Sequence, residues 1–370
     1  MITLDTSTAA YRILEITAIS GELPCDTLSR IHIGESYGEK LITRLKEDRL
    51  IKTHYKDKLR GYRLTSRGKK LLLAQNPERF SFYLTGSSDT NQPRSDYPRR
   101  LRLHQTSRTY CLMLGAGITI FRDKKPALFS GVPPDDTHIL PFPVFYQSRE
   151  LKELGMETTK INNSRAIGIL LTESLIFPVF YTGSTVMKWE YKTEIRLKAL
   201  LSHHITQGVL SDHYCHKIPI HALFIGSNME TAVKLMTSTG GDRHSLFTLD
   251  TSFDYFHFIP DSHAGEILLK ILCSPTIGRQ LTVLLLSDLE TVNPSISMEH
   301  DAVRMGQPVL LAYDFDMLRI SRFITALKLQ RQTGHLICFD FQKEALLLYC
   351  GDAVTISTID LAKFERRFFS

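Results

Sequence analysis

Lysine and arginine side chains crowd the stretch from residue 36 to residue 72, SYGEKLITRLKEDRLIKTHYKDKLRGYRLTSRGKKLL. Cationic side chains bind the phosphate oxygens of nucleic acids, and polar side chains between them can hydrogen-bond base edges. Residues 1–110 contain 20 Lys and Arg against 12 Asp and Glu, whereas the remaining 260 residues contain 25 against 27. The positive net charge therefore belongs to the N-terminal third, which favours a polyanion-binding module. A basic surface that only keeps the chain in solution is the alternative.

Ten side chains of this stretch are the candidate contacts to DNA. Four precede Leu50 and six follow it, and at Leu50 the apolar residues change from helical spacing to strict alternation. A helix can present polar side chains to bases in the major groove, and a basic hairpin can bind phosphates or enter the minor groove. The candidates are Ser36, Lys40, Thr43 and Arg44 on a helix, His54, Lys56, Lys58 and Arg60 on a hairpin, and Arg63 and Lys69 behind it, with Arg67 and Lys70 nearby.

Three helical segments are predicted before the hairpin. Residues 7–20 begin with Ser7 or Thr8 as a helix cap and end before Gly21. Pro24 suits the first turn of a second, short helix, and Ser36 with Glu39 predicts a capping box for the third. The predicted inward stripe of the third helix is Tyr37, Leu41, Ile42, Leu45 and Leu50, and its predicted outward stripe is Gly38, Lys40, Thr43, Arg44 and Glu47.

Two strands and one more helix follow. The segments IKTHYK and GYRLT alternate apolar and polar residues around the turn-like DKLRG, and TSRGKKLLLAQ returns to helical spacing after Thr65 or Ser66. The order helix, helix, helix, strand, turn, strand, helix predicts a winged helix-turn-helix over residues 1–80. Winged helices also act as protein-interaction or dimerisation modules, so this prediction leaves both uses open.

A polar segment separates this predicted domain from the rest of the chain. Residues 81–97 are rich in Gly, Ser, Asp, Asn and Pro and predict a linker. The helix that we expect next begins with Arg99, Arg100 and Arg102, which either extend the DNA-binding surface or form a solvated helix start.

Residues 98–370 predict an α/β domain with a mixed or parallel sheet, because strand-like and helical segments alternate. The runs AIGILL and IFPVFYTG predict a hairpin, and KWEYKTEIRLKALLSHHI predicts an amphipathic helix. We also interpret LTVLLL and ALLLYCG as strands. The chain as a whole is thus expected to be α/β, or α+β when both domains are counted, and the second domain to serve partner docking or dimerisation.

One set of residues matches the chemistry of a metal-dependent nuclease. Asp135 or Asp136 with the later Glu190-x-Lys192 is the arrangement in which carboxylates hold Mg²⁺ and a lysine helps to activate water. In the restriction-endonuclease fold the Glu-x-Lys lies on a strand, whereas here it lies in a segment of helical periodicity. The alternative is therefore a solvated helix face.

Two other groups of residues are candidates for metal or phosphate sites. His203, His204, His213, Cys215 and His216 lie close together in the sequence, but their spacing matches no standard zinc finger. The stretch FIGSNMETA places a glycine before a helix start, yet it lacks the glycine-rich phosphate-binding motifs, and an ordinary strand-to-helix turn also explains it. The six cysteines form no CxxC pair, which is typical of reduced thiols. We expect no cofactor, no metal and no catalytic residue.

The basic segment LITRLKEDRLIKTHYKDKLRGYRLTSRGKKLL resembles the winged-helix segment of many bacterial DNA-binding proteins. With RRLRLHQTSRTYCLML and the α/β domain that follows, the chain resembles the replication-relaxation proteins of plasmids and integrative conjugative elements. This resemblance implies a mobilisation role, in which the protein binds double-stranded DNA near an origin of transfer or replication and helps a relaxase to nick one strand. In that family the second domain can resemble a degenerate restriction-endonuclease-like fold.

The predicted function is therefore that of a sequence-specific DNA-binding accessory protein of a mobile element, with a homodimer as one option. A ligand-sensing winged-helix transcription regulator and a Mg²⁺-dependent nuclease remain the alternatives. No apolar run is long enough for a membrane span, and the N-terminus lacks the pattern of a signal peptide. We expect a cytoplasmic protein that does not bind membranes.

Overall fold

A computed structural model describes residues 5–31, 33–130, 140–208, 210–211, 213–214, 218–243, 245–291 and 298–369. The chain divides into two compact units, Met1–Pro126 and Ala127–Ser370. Both units mix helices with β-sheet, so the predicted α/β class is confirmed. The first unit extends beyond the segment 81–97 that the composition indicated as a linker, because a long helix after that segment packs against the first helix.

The helices of the first unit are α1 (Ala9–Ser20), α2 (Glu35–Glu47), α3 (Ser66–Gln75), α4 (Pro77–Leu84) and α5 (Tyr97–Gly115). The short helix expected after Pro24 is a 3-10 helix, Cys25–Ile31, and a second one covers Arg122–Lys124. As predicted, α1 begins after Thr8, whose hydroxyl accepts the Tyr11 N–H, and it ends at Gly21, whose φ is +82°. Most of α1 is buried, so it is the central helix of this unit.

The strands of the first unit are β1 (Leu23–Pro24), β2 (Ile51–Lys56) and β3 (Leu59–Leu64). They form one antiparallel sheet in the order β1-β3-β2. The turn between β2 and β3 consists of Asp57 and Lys58, with φ values of +54° and +62°. Two successive residues with positive φ give the turn type whose twist matches that of a hairpin. The predicted pair of alternating strands is therefore present.

The predicted faces of α2 need two corrections. Tyr37 was expected to point inward, but its side chain is 56% exposed, and Gly38 was expected to point outward but is buried. A Cβ atom at Gly38 would lie 3.2 Å from Leu28 and 3.3 Å from Ile33, so a larger residue would have to displace these two side chains by a few tenths of an ångström. The helix also begins at Glu35 after Gly34, without a side-chain cap, so the capping box predicted from Ser36 was wrong.

The helices of the second unit are α6 (Ser148–Leu151), α7 (Tyr191–Gln207), α8 (Met229–Met236), α9 (His263–Cys273), α10 (Pro275–Leu286), α11 (Met317–Gln330), α12 (Lys343–Cys350) and α13 (Leu361–Phe368). Its 3-10 segments are Lys152–Ile161, Asp340–Gln342 and Gly351–Ala353. Its strands are β4 (Val144–Gln147), β5 (Gly168–Leu171), β6 (Ile176–Gly183), β7 (Ala222–Gly226), β8 (Phe256–Pro260), β9 (Glu290–Thr291), β10 (Ala302–Arg304), β11 (Gln307–Leu311), β12 (Gly334–Phe339) and β13 (Val354–Ile359).

Two five-stranded sheets form the second unit. The first has the order β4-β5-β6-β7-β8, with antiparallel pairs up to β6 and parallel pairs after it. The second has the order β13-β12-β11-β10-β9, with β11, β12 and β13 parallel and the pairs of β10 antiparallel. Both sheets are thus mixed, as expected, and β5 with β6 is the predicted hairpin. An extended cluster of buried apolar residues forms the core of the unit.

Two predicted strands of this unit are helical. LTVLLL belongs to α10 and ALLLYC belongs to α12. Short apolar runs fit a buried strand and a helix equally well, so other signals must distinguish them. For α10 the residues at the helix start do so. Ser274 accepts the Ile277 N–H as the cap of α10, and Pro275 occupies the first turn. Among the described residues no single helix has the length and apolar composition to cross a membrane; α9 and α10 pass that test only as a pair bent by 98°.

Candidate nucleic-acid interface

Helix α2 presents a polar face that carries the four candidates predicted on it. Ser36, Lys40, Thr43 and Arg44 are all exposed, whereas Leu41, Ile42 and Leu45 on the opposite face are buried. The Thr43 hydroxyl donates a hydrogen bond of 2.9 Å to the Glu39 carbonyl, and its lone pairs remain available as acceptors. The inward apolar residues thus fix the helix, and the helix directs two cations and two hydroxyls to solvent.

The hairpin presents a second group of exposed cations. Lys56, Lys58 and Arg60 are exposed around the tip, and Lys52 is exposed on β2. His54 differs from them because it is only half-exposed, and burial together with the nearby Arg63 and Arg100 lowers its pKa. The lowered pKa disfavours the imidazolium, so His54 is a weaker candidate for a phosphate contact than the exposed lysines.

Arg63 of β3 is buried, and each of its three nitrogens donates a hydrogen bond within the first unit. Its Nε donates to Glu22 Oε2 at 2.8 Å, and its terminal nitrogens donate to the carbonyl oxygens of Pro93 and Arg94 at 3.0 Å each. The guanidinium holds the segment 81–97 against the sheet. Arg63 was a predicted DNA contact, but it is buried and does not belong to the exposed cations.

Lys69 is the other predicted contact that is held inside the unit. Its ammonium group donates to the side-chain oxygen of Asn91 at 3.0 Å and also to the Asn91 carbonyl. Burial and the positive charge of Lys52 lower the pKa of Lys69. Arg67 and Lys70, by contrast, are exposed on α3, and together with Arg44 they line a cavity of about 550 Å³ between α2 and α3.

A buried ionic network fixes the position of the hairpin. The carboxylate of Glu22 accepts hydrogen bonds from Arg63, Arg100 and His104, and the side chain of Arg100 is fully buried. Burial alone would raise the pKa of Glu22, but the bonds from His104, Arg100 and Arg63 outweigh it and lower that pKa to about 2. The carboxylate approaches β3 at Gly61, where a Cβ atom would lie 2.6 Å from Glu22 Oε1.

Arg100 joins this network to the backbone of the hairpin. Its guanidinium donates to the carbonyl oxygens of Lys56 at 2.7 Å, Leu59 at 3.0 Å and His54 at 3.3 Å. A single side chain of α5 therefore holds both strands of the hairpin next to its tip. The sequence suggested that Arg100 either extends the DNA-binding surface or is solvated, and the burial of its guanidinium contradicts both expectations. Arg99 is exposed and lies 3.8 Å from Asp96.

The residues of the nuclease hypothesis do not form a site among the described residues. Glu190 directly precedes α7 and Lys192 lies in its first turn, and both side chains are exposed. The Glu-x-Lys is therefore at a helix start and not on a strand. Asp135 and Asp136 lie outside the described residues.

The residues of the histidine and phosphate hypotheses also form no binding site among the described residues. His203 is exposed and His204 is buried on α7, and Cys215 and His216 lie outside the described residues, with His213 near them in sequence. No three His, Cys, Asp or Glu side chains in the described part of the chain are grouped so that they could hold a metal ion. At the start of α8, the side chain of Asn228 accepts the Thr231 N–H and so caps the helix itself.

Sequence reasoning missed one strongly perturbed carboxyl group in the second unit. Glu194 is fully buried on α7, where Ser164 Oγ donates to it at 2.9 Å and the Arg165 N–H at 3.3 Å. Burial raises its pKa to about 7, because these two bonds do not compensate for the lost hydration. Its position one turn before Leu197 and two turns before Leu201, both of which face inward, was the available signal.

The cationic residues of the first unit fall into two sets. Lys40, Arg44, Lys56, Lys58, Arg60, Arg67 and Lys70 are exposed on α2, on the hairpin and on α3, whereas Arg63 and Arg100 are buried and paired with Glu22, and Lys69 is hydrogen-bonded to Asn91. Comparison of the chain with protein-family models, with curated proteins and with solved structures found no match.

Proposed function

We propose that the first unit is a winged helix-turn-helix that binds double-stranded DNA. In this proposal α2 enters the major groove and the β2–β3 hairpin is the wing that contacts phosphates. The proposal rests on the division of the cations into exposed and buried side chains. Lys40 and Arg44 of α2 and Lys56, Lys58 and Arg60 of the hairpin all reach solvent, while the buried arginines are consumed in positioning the hairpin.

The order and roles of the elements support the same proposal. The central α1, the 3-10 helix Cys25–Ile31 and α2 precede a two-stranded hairpin, as the fold requires. The proposed contacts are Ser36, Lys40, Thr43, Arg44, Lys56, Lys58 and Arg60. We leave out Arg63 and Lys69, because their side chains are hydrogen-bonded inside the unit, and His54, because its lowered pKa disfavours the imidazolium.

The resemblance to replication-relaxation proteins extends the proposal to the whole chain. The protein would then bind near an origin of transfer or replication and assist a relaxase, with its second unit as a docking or dimerisation body. For that unit we retain the degenerate restriction-endonuclease-like fold as a proposal, supported by the mixed sheet β4–β8. The exposed Glu190 and Lys192 at the start of a helix favour a body without nuclease activity.

The test is the salt dependence of duplex binding by the full chain. Each phosphate contact contributes about 0.9 to the slope of log affinity against log salt concentration. Replacing Lys56, Lys58 and Arg60 by alanine should reduce that slope by about 2 to 3 in fluorescence anisotropy titrations with a labelled duplex. The matched control removes three exposed cations of the second unit: Arg322, Lys328 and Lys343.

Two results would oppose the proposal. Failure of the wild-type chain to bind any duplex at about 50 mM salt, where phosphate contacts are strongest, would refute DNA binding itself. A slope that falls equally in the hairpin variant and in the control variant would refute the hairpin as the phosphate-binding element. We expect no difference in DNA cleavage between the wild type and Glu190→Ala. Mg²⁺-dependent cleavage that is lost in Glu190→Ala would revive the nuclease alternative.

A further inference from the structure

Helix α10 of the second unit is apolar on two faces. On its inner face Leu281 is buried, and Leu285 packs against the small apolar cluster formed by residues of β10, β11 and β12. On its outer face Val283 is 65% exposed and Leu284 is 41% exposed. A surface helix normally has one polar face, whereas a helix that is apolar all round is normally buried. The outer face of α10 therefore has the composition of a covered surface.

The outer face of α10 borders a cavity of about 570 Å³. Ile277, Val283 and Leu284 of α10 line this cavity together with Phe368 of α13. Ile277 and Leu284 are seven residues apart, which corresponds to two turns, or about 10 Å along the helix. Single exposed apolar residues are common on protein surfaces, but contiguous apolar patches with a polar rim mark interaction sites. These four side chains around one cavity form such a patch.

The charged groups at this cavity are cationic. Arg279 of α10 and Arg367 of α13 line it together with Gln280, and no carboxylate among the described residues does so. Both arginines are exposed. Helices α10 and α13 contain one acidic residue, Glu365, whose carboxylate lies 3.0 Å from His263 Nε2. The cavity thus combines apolar walls with two guanidinium groups, so a complementary occupant is apolar and carries carboxylates beside its apolar face.

The same charges distinguish between the alternative occupants. A second copy of this chain would bring the same cations together across a two-fold axis, and like charges at an interface oppose association. A lipid surface also offers anions, but it receives side chains that project from a helix and presents none of its own to a cavity. An amphipathic helix of another protein fits both features, because it lays apolar side chains three or four residues apart into a groove and can carry carboxylates beside them.

We propose that the cavity between α10 and α13 is the docking site for an acidic amphipathic helix of a partner protein. The apolar side chains of that helix occupy the cavity along Ile277, Val283 and Leu284, and its carboxylates pair with Arg279 and Arg367. This inference rests on the proposed docking role of the second unit, and it adds the chemistry of the partner. It does not depend on DNA binding by the first unit.

The experiment measures the binding of two labelled peptides to the full chain by fluorescence anisotropy. The first is a synthetic helical peptide of about 18 residues, or five turns, with leucine on one face and glutamate on the other. The second has lysine in place of every glutamate. The wild type should bind the glutamate peptide about ten times more tightly than the lysine peptide, because the exchange turns two attractive charge pairs into two repulsive ones.

Variants of the cavity locate the site. Val283→Asp should weaken binding of the glutamate peptide about tenfold or more, since it replaces an apolar contact by a charge that repels the peptide. The double variant Arg279→Ala and Arg367→Ala should reduce both the preference for glutamate over lysine and the salt dependence of binding. Leu329→Asp is the matched control and should keep the affinity, because Leu329 is an exposed leucine of the same unit that does not line the cavity. Unchanged urea unfolding of Val283→Asp, followed by the fluorescence of Trp189, shows that the variant is folded.

Absence of binding of the glutamate peptide to the wild type overturns this inference, and so does equal binding of the two peptides. Binding to vesicles of phosphatidylcholine and phosphatidylglycerol that is lost in Val283→Asp assigns the surface to a membrane instead. A dimer that light scattering detects in the wild type and that becomes a monomer in Val283→Asp assigns it to a second copy. Duplex binding is measured separately, and its absence is a failure of the proposed function of the first unit that leaves the result for this cavity standing.

Discussion

Replacing Glu22 by glutamine tests the buried network that holds the hairpin. Glutamine keeps the shape of the side chain but removes its charge, so the guanidinium groups of Arg63 and Arg100 lose the anion between them. Breaking a buried ion pair by removing one partner costs about 3–5 kcal/mol. The lowered pKa of Glu22, about 2, gives an independent value, since an unperturbed glutamate at about 4.3 implies about 3 kcal/mol at neutral pH.

The two values converge on a loss of about 3 kcal/mol in the free energy of unfolding of the first unit. Hydrogen exchange measured by mass spectrometry on peptides from α1 and α5 reports that unit separately. The single tryptophan, Trp189, lies in the second unit, so its fluorescence during urea unfolding shows whether the second unit is unaffected. Asp26→Asn is the matched control, because it removes the same charge from the exposed Arg108–Asp26 pair, and pairs of that kind contribute at most about 1 kcal/mol.

The stability difference between the wild type and Glu22→Gln should depend on pH in one direction. A carboxyl group whose pKa is lowered in the folded state stabilises the fold above its unfolded pKa and loses that contribution as the pH falls. The stability difference between the wild type and Glu22→Gln should therefore be constant above about pH 5 and shrink between about pH 4 and pH 2, as Glu22 becomes protonated. A loss below about 1 kcal/mol at pH 7, or a difference that persists unchanged at pH 2, would refute the network as described.

Two further predictions concern single side chains. A carboxyl group whose pKa is raised to about 7 destabilises the fold as the pH rises from about 4 to 7. The free energy of unfolding of Glu194→Gln, relative to that of the wild type, should therefore be about 2–3 kcal/mol larger at pH 8 than at pH 5. Trp189 fluorescence in urea measures this in the same unit, and equal gains at both pH values would contradict it. Arg44→Ala should weaken duplex binding in anisotropy titrations by about 1–3 kcal/mol if it contacts a base, with Arg322→Ala unchanged as its control. Unaltered affinity in Arg44→Ala would remove α2 from the proposed interface.

The sequence was informative where local chemistry decides the structure. The cap at Thr8, the stop at Gly21 and the alternation on either side of the Asp57–Lys58 turn all lie within a few residues of the feature they specify. The faces of α2 were harder to predict. Gly38 has no apolar side chain that would indicate burial, although its neighbours bury it. In α10, the Ser274–Pro275 start was a helix signal that the apolar run LTVLLL obscured.

The burial of cations could not be predicted, because it depends on distant partners. Glu22 lies 41 residues from Arg63 and 78 residues from Arg100 in the sequence. A run of arginines looks the same whether it faces solvent or a buried carboxylate far along the chain. The sequence shows where the cations are concentrated, whereas the division of the candidates into exposed and internal side chains required the three-dimensional structure.

The hairpin tip carries a conformational penalty that its sequence does not avoid. Asp57 and Lys58 both adopt the left-handed backbone region, which costs a side-chain-bearing residue roughly 1–2 kcal/mol and a glycine almost nothing. Asn-Gly or Asp-Gly would make the easier tip, yet this chain places an ammonium group there. The tip therefore exposes the Lys58 ammonium beside the Asp57 carboxylate at a conformational cost that a glycine would avoid.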